Sequence, residues 1–333
     1  MVASVVKGSN SGGGWLTHSQ VSSSLAKLNG VLFEVVSSED SQLQDMARYL
    51  VARTGKRLRP ALLFLAATFA KYPEEILLRA AAALELLHVA SLYHDDVMDR
   101  APLRRGEPSV NFRWGNASAT LAGTFLFARA TMLLSSLGEL PNQLASNASC
   151  DLCTGQLREV ENAYNQELSD GDHLDILQRK TGTLFELPCR LGATLSEAPT
   201  LVTEALGEYG RHLGLGFQLA DDALDLVGEA SRLGKATGTD LREGIYSLPV
   251  LWALRQPDGN AEWLQQRLRQ ARLSAPEEAE VIAFVRESGG VEVAIELARA
   301  EVEKAKQALA ALPEGAARLS LSRLADFSIT RHT

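Results

Sequence analysis

Apolar residues recur along most of the chain at the three-and-four spacing of one helix face, and short breaks rich in Gly, Pro and Ser interrupt the pattern. The breaks fall at 71–73, 104–108, 138–141, 169–171, 198–199, 228–244, 256–259, 274–276 and 312–315. Between them the pattern predicts ten or more helices. No alternating strand pattern, no Gly-punctuated βαβ unit and no fixed-period repeat is present. The expected fold class is therefore all-α, a single large helical bundle around a central cavity. It should span 15–333 as one domain behind a flexible Gly/Ser-rich lead-in at 1–14.

The predicted helix over 78–100 ends in HDDVMD at 94–99. Leu84, His88, Ser91, Asp95 and Asp99 fall on one stripe of it, and Asp96, three residues before Asp99, brings a third carboxylate to the same end. Like charges at this spacing destabilise a helix by a few tenths of a kcal/mol. Their position after a long apolar run therefore points to a neutralising cation. Oxygen-only donors suit Mg²⁺ rather than zinc, and Mg²⁺ held by few carboxylates completes its shell with substrate phosphates. The same D-D-x-x-D spacing returns at Asp221, Asp222 and Asp225, where Gln218, Asp221 and Asp225 are expected to share a face. Gly207, Gly210 and Gly214 lie beside that stripe and would let another helix or a ligand approach closely. One acidic triplet is ordinarily a solvated helix end. Two with identical spacing, each closing a long apolar helix, point to a metal site.

Isolated cations surround these clusters: Lys56, Arg57 and Arg59 in TGKRLRP, Arg104 and Arg105, Lys180 in QRKTG, and Lys235 in LGKATG. Each alone reads as a surface charge. Together they suit diphosphate anchoring, with arginine supplying fork-shaped contacts and lysine a point charge.

Charge narrows the choice. The 333 residues carry 33 Lys+Arg against 41 Asp+Glu, a formal net charge of −8, which argues against binding nucleic acid through bulk charge. Six of those acids are the motif aspartates, so most of the excess negative charge belongs to the proposed site. No run approaches the ~18 consecutive apolar residues of an integral membrane segment, and the first 14 residues lack an apolar signal core, so a cytoplasmic location is expected. Three cysteines cannot build a disulfide framework, and Cys150 and Cys153, on one helix face, are expected to be small buried side chains.

The chain resembles the trans-isoprenyl (polyprenyl) diphosphate synthases from about Thr54 to the C-terminus, through GKRLRP, ELLHVASLYHDDVMD, LRRGEPSVN, GFQLADDALD and GTDLREGIYSLPVL in order. The look is that of actinobacterial long-chain members. The resemblance implies an all-α homodimeric enzyme that extends an allylic diphosphate with isopentenyl diphosphate. It implies that Asp95, Asp96, Asp99, Asp221, Asp222 and Asp225 hold three Mg²⁺ on the allylic diphosphate, which Arg104, Lys180 and Lys235 also bind. Lys56, Arg59, His88 and Arg105 would take the diphosphate of isopentenyl diphosphate. Thr181 and Gln218 would face the ionising end. Small residues at Ala90 and Ser91, above the acceptor tunnel, imply an open floor and a product longer than farnesyl. Geranylgeranyl diphosphate is the alternative product if Leu86, Leu87, Phe125 or Phe127 blocks a deeper level.

Three positions depart from the family pattern: Thr54 before GKR, Thr124 in LAGTFLFARA, and Ile245 in EGIYSLP. None removes a carboxylate. A class I terpene cyclase would replace the second cluster with an Asn/Ser/Glu-type motif and would not need TGKRLRP. A non-catalytic partner subunit would lose one or both clusters.

Overall fold

The computed structural model describes residues 14–53, 55, 57–104, 106–227, 238–257, 260–269 and 273–330. Helices dominate: α1 Ser19–Val35, α2 Ser41–Val51, α3 Leu58–Ala67, α4 Glu74–Met98, α5 Val110–Trp114, α6 Asn116–Ser136, α7 Glu139–Glu161 and α8 Asp170–Leu177. A five-residue π-helical turn, Gln178–Gly182, joins α8 to α9 Thr183–Leu195. There follow α10 Thr200–Val227, α11 Thr239–Glu243, α12 Leu248–Leu254, α13 Asn260–Leu268, α14 Ala275–Glu287, α15 Gly290–Ala308 and α16 Ala316–Thr330. The strands among the described residues are two-residue β1 Leu103–Arg104 and β2 Glu107–Pro108, an antiparallel pair beneath the end of α4.

The expected breaks recur as helix ends, with local chemistry that explains them. Ser169 caps α8 by accepting the Asp172 N–H, and Ser274 with Glu277 forms a capping box on α14. Within the long break expected at 228–244, residues 239–243 form α11, too short for periodicity to reveal.

Two apolar clusters divide the interior. One gathers α1–α4, α6, α9, the first half of α10 and α16; the other gathers α8, the second half of α10 and α12–α15. The long helix α10 belongs to both, through Leu206, Tyr209 and Leu213, then Leu219, Ala223 and Leu226. Helix α9 is clamped between α3 and α10 by missing side chains. A Cβ on Gly192 would stand 2.2 Å from the Leu63 carbonyl oxygen, and one on Gly214 would stand 2.7 Å from Gly182 Cα. The glycines expected to permit close approach therefore serve helix packing.

By length and composition α4 and α6 could each cross a membrane, which counting uninterrupted apolar runs does not register. The apolar window of α4 is 67% buried within the protein, whereas that of α6 is 33% buried. Cys150 and Cys153 are exposed, contrary to expectation. Helix α7 turns Pro141, Ala145, Ala148 and Gly155 inward, and the two cysteines lie on its other side.

Candidate active site

A cavity of about 550 Å³ lies between the C-terminal half of α4, the end of α7, α8 with its π-helical turn, the second half of α10 and the segment from α11 to Ser247. His88, Leu92, Asp95 and Asp99 line it from α4, the stripe that the four–three spacing predicts. Gln218 and Asp222 line it from α10, Lys180 from the π-helical turn, and Arg104 from β1.

The two clusters do not present all their acids alike. Asp96, one residue and about 100° around the helix from Asp95, is fully buried away from the cavity and holds Arg104. The Arg104 Nε and Nη2 both reach Asp96 Oδ1, at 2.7 and 2.5 Å. The expectation that all three acids share one face is thus corrected to Asp95 and Asp99. On α10 the cavity side is Gln218 with Asp222, whose side chains bond at 2.9 Å, rather than Gln218 with Asp221. Four residues return a helix to within about 40° of its starting direction, three only to about 60° on the other side. Asp225 is buried and accepts the Asp240 backbone N–H at 3.3 Å, securing α11. Asp221 is half-buried on α10 and does not line the cavity.

Lys180 pairs with Glu159 of α7, a carboxylate for which the sequence carried no motif. Burial opposes its charge, yet Glu159, then Asp95 and Asp99, hold its pKa above the ordinary lysine value. Burial also raises the pKa of Asp95 to about 6, with Lys180 opposing the rise and Asp99 adding to it. Burial raises Asp96 and Asp99 likewise, against Arg104 and against Lys180 with Arg104 respectively.

A carboxyl whose folded pKa exceeds its unfolded value weakens the fold when ionised. For Asp95 that penalty is complete above about pH 6 and vanishes below the unfolded value of about 3.9. Asp95→Asn should therefore be more stable than the metal-free parent at pH 7.5, with the difference shrinking toward pH 4. Denaturant melts at both pH values check this; equal stability at pH 7.5 would contradict it.

The π-helical turn carries Lys180 and Thr181, and the Thr181 hydroxyl donates to Gln218 Oε1 at 2.9 Å. Gln218 in turn donates to Asp222, so threonine, amide and carboxylate form one chain. Beside it lies His173, buried at 4% exposure, with Nε2 3.6 Å from Asp222 Oδ2. The sequence offered no spacing signal for His173, because α8 and α10 meet only in the folded chain.

Of the cations expected at a second diphosphate, Lys56 and Arg105 lie outside the described residues, as do Lys235 and Thr54. Arg59 stacks its guanidinium 5.3 Å from the Phe185 ring, and His88 lines the cavity. Arg57, its side chain 10% exposed, is paired with buried Glu85 of α4 at 2.5 Å. Ala90 is buried at 2% exposure, and the Ser91 hydroxyl donates to the His88 carbonyl; neither lines the cavity. Phe127 is 43% exposed on the outer side of α6 and blocks no interior level. Thr124 is exposed and back-bonds to Thr120 O, whereas Ile245 adds an apolar patch to the cavity wall.

An all-α bundle closing acids from α4, α7 and α10 and a half-buried lysine around one cavity defines a class of enzyme that handles multiply charged anions. Residues 40–285 match the family model described as polyprenyl synthetase. The nonaprenyl diphosphate synthase of Mycobacterium tuberculosis is 34% identical over 94% of this chain and 93% of its own length. The geranylgeranyl diphosphate synthase of Methanosarcina mazei is 35% identical over 87% of this chain and 90% of its own. A crystal structure of a Caulobacter crescentus polyprenyl synthase, complexed with calcium and isoprenyl diphosphate, superposes with a TM-score of 0.90 at 34% identity, covering 94% of this chain and 96% of that one. The chain belongs to the polyprenyl synthetase family and is a prenyltransferase that elongates prenyl chains.

Proposed function

We propose that the chain condenses an allylic diphosphate with isopentenyl diphosphate head-to-tail and releases a trans-polyprenyl diphosphate longer than farnesyl. The observation that carries this reading is one cavity walled by Asp95 and Asp99 from α4, Asp222 from α10, and Lys180 beside them. This reading takes residues 15–333 as one unit, supported by a cavity whose lining runs from His88 on α4 to Ser247 beyond α11.

The donor set fits Mg²⁺. Among the described residues no three acid, His or Cys side chains converge tightly enough to hold an ion unaided. Carboxylate oxygens suit a hard cation shared between one or two of them and substrate phosphate oxygens. Asp95, Asp99 and Asp222 would hold the ions from the cavity wall, three in all as the repeated D-D-x-x-D implies, with Asp96, Asp221 and Asp225 supporting the two clusters from outside the cavity. An ion held there would supply the positive charge that offsets the departing diphosphate. Chelation should abolish condensation and added Mg²⁺ should restore it; activity persisting in excess chelator would contradict the assignment.

The protein's own groups do the rest. Lys180, Arg104 and Lys235 grip the allylic diphosphate, and Lys56, Arg59, His88 and Arg105 the other. Charge placed before the C–O bond breaks needs no reorganisation as it breaks, which lowers the barrier. The bond from Thr181 fixes the amide orientation of Gln218, so both polar groups are presented rigidly to the ionising end. Leu92, Ile176 and Leu177 supply apolar wall that keeps water from the allylic cation.

We read product length from the small side chains at Ala90 and Ser91, about one helical turn before Asp95. Ala90→Phe should shorten the product by at least one isoprene unit, read by chromatography of the dephosphorylated alcohols. An unchanged distribution would contradict the open floor. A parent product that stops at geranylgeranyl would select that alternative.

A second copy is the partner we assign to the outer face of α6 and α7. Leu121 and Met132 of α6 and Leu157 and Val160 of α7 stand 56–66% exposed and would supply apolar contacts to that copy. A cytoplasmic homodimer with no nucleic-acid partner completes the reading.

A further inference from the structure

His173 is a buried polar side chain of the cavity to which the functional reading gives no task. It is 4% exposed, it lines the cavity from α8, and its buried Nε2 makes no hydrogen bond. An unpaired buried imidazole nitrogen costs about 1–3 kcal/mol. Such a cost calls for a partner that the site acquires when loaded.

The partner is in view. Asp222 Oδ1 is already fixed by Gln218 Nε2 at 2.9 Å, and Gln218 Oε1 by the Thr181 hydroxyl at 2.9 Å. The other carboxylate oxygen, Oδ2, faces His173 Nε2 at 3.6 Å. Bringing that gap to a hydrogen bond of about 2.9 Å needs less than 1 Å of movement.

We propose that His173 is a positioning residue for Asp222. Its Nε2–H donates to Oδ2 when a divalent cation and a diphosphate draw the carboxylate into the cavity. The result is a four-member chain, Thr181–Gln218–Asp222–His173, that locks the carboxylate from both sides. The imidazole acts as a neutral donor, and no change in its charge is involved. A carboxylate held by partners on both oxygens loses less freedom on taking a metal, which is why such outer contacts govern metal affinity.

The inference rests on the reading of Asp222 as a metal carboxylate, and the test separates the two. Binding of inorganic diphosphate to the full chain is measured by calorimetry with saturating Mg²⁺ and with none. His173→Leu should weaken the Mg²⁺-dependent binding by roughly 10–100-fold. His173→Gln, whose amide nitrogen reaches the place of Nε2, should stay within about threefold of the parent. In an Asp222→Asn background, His173→Leu should add less than about twofold, because the two act as one unit. Should the leucine variant not fold, His173→Asn, whose amide stops short of Oδ2, replaces it.

Parent-like binding by His173→Leu would overturn the proposal. So would a His173→Gln variant as weak as the leucine one, or fully additive effects with Asp222→Asn. If the parent itself shows no Mg²⁺-dependent diphosphate binding, the metal reading falls and this inference falls with it.

Discussion

Asp95→Ala is expected to lower kcat/KM by about 10³-fold, roughly 4 kcal/mol of transition-state stabilisation. Asp95 lines the cavity and shares the fields of Lys180 and Asp99, so its removal loses a metal carboxylate and unbalances the cation beside it. Asp96 gives the contrast. It faces away from the cavity and acts by holding Arg104, so Asp96→Asn should cost on the order of tenfold through a looser arginine. Steady-state kinetics with both substrates varied distinguishes the two. Equal losses at both positions would contradict the division of roles, and Asp95→Ala within tenfold of the parent would contradict the site.

The largest expected effect on stability lies elsewhere. Glu85→Ala should destabilise the protein by about 3–5 kcal/mol, because it strands the Arg57 guanidinium in the interior. The pair is 2.5 Å apart, with side chains only 10% and 5% exposed. Arg57 also bonds the Val51 carbonyl and the Asn29 amide oxygen, and it holds a left-handed backbone at φ 47°. That conformation is uncommon for a non-glycine residue, and the surrounding bonds pin it. Arg57 thereby sets the turn that leads into Arg59 and α3. Denaturant unfolding measures the loss, and replacing both partners with apolar residues of similar volume should recover much of it. A change below about 1 kcal/mol in the single variant would show the pair to be solvated.

These two predictions also mark what a linear sequence can carry. The repeated D-D-x-x-D, the apolar runs before it and the breaks at 169–171 and 274–276 were legible because each depends on neighbours within one or two turns. The rotation of each cluster was not. Whether Gln218 faces the cavity with Asp221 or with Asp222 depends on which side of α10 meets α8 and the π-helical turn. The same holds for Cys150 and Cys153, whose apolar character fits a buried stripe until α7 is seen to pack through Ala145 and Ala148. Glu159 and His173 belong to no spaced motif in the sequence. They reach the cavity because α7 and α8 fold beside α10, and only the packed chain puts their charges and donors next to Lys180 and Asp222.

The π-helical turn has the same origin. Its sequence, QRKTG, differs little from helical sequence, and Gly182 at its end packs closely against Gly214 of α10. A one-residue expansion there decides where Lys180 and Thr181 point.

The most direct test of the central claim is condensation itself. The full chain is incubated with Mg²⁺, labelled isopentenyl diphosphate and each allylic primer in turn, and the products are sized. Label incorporated into trans-prenyl diphosphates longer than farnesyl is the result expected. Absence of incorporation with every primer, from protein shown to be folded, would contradict it.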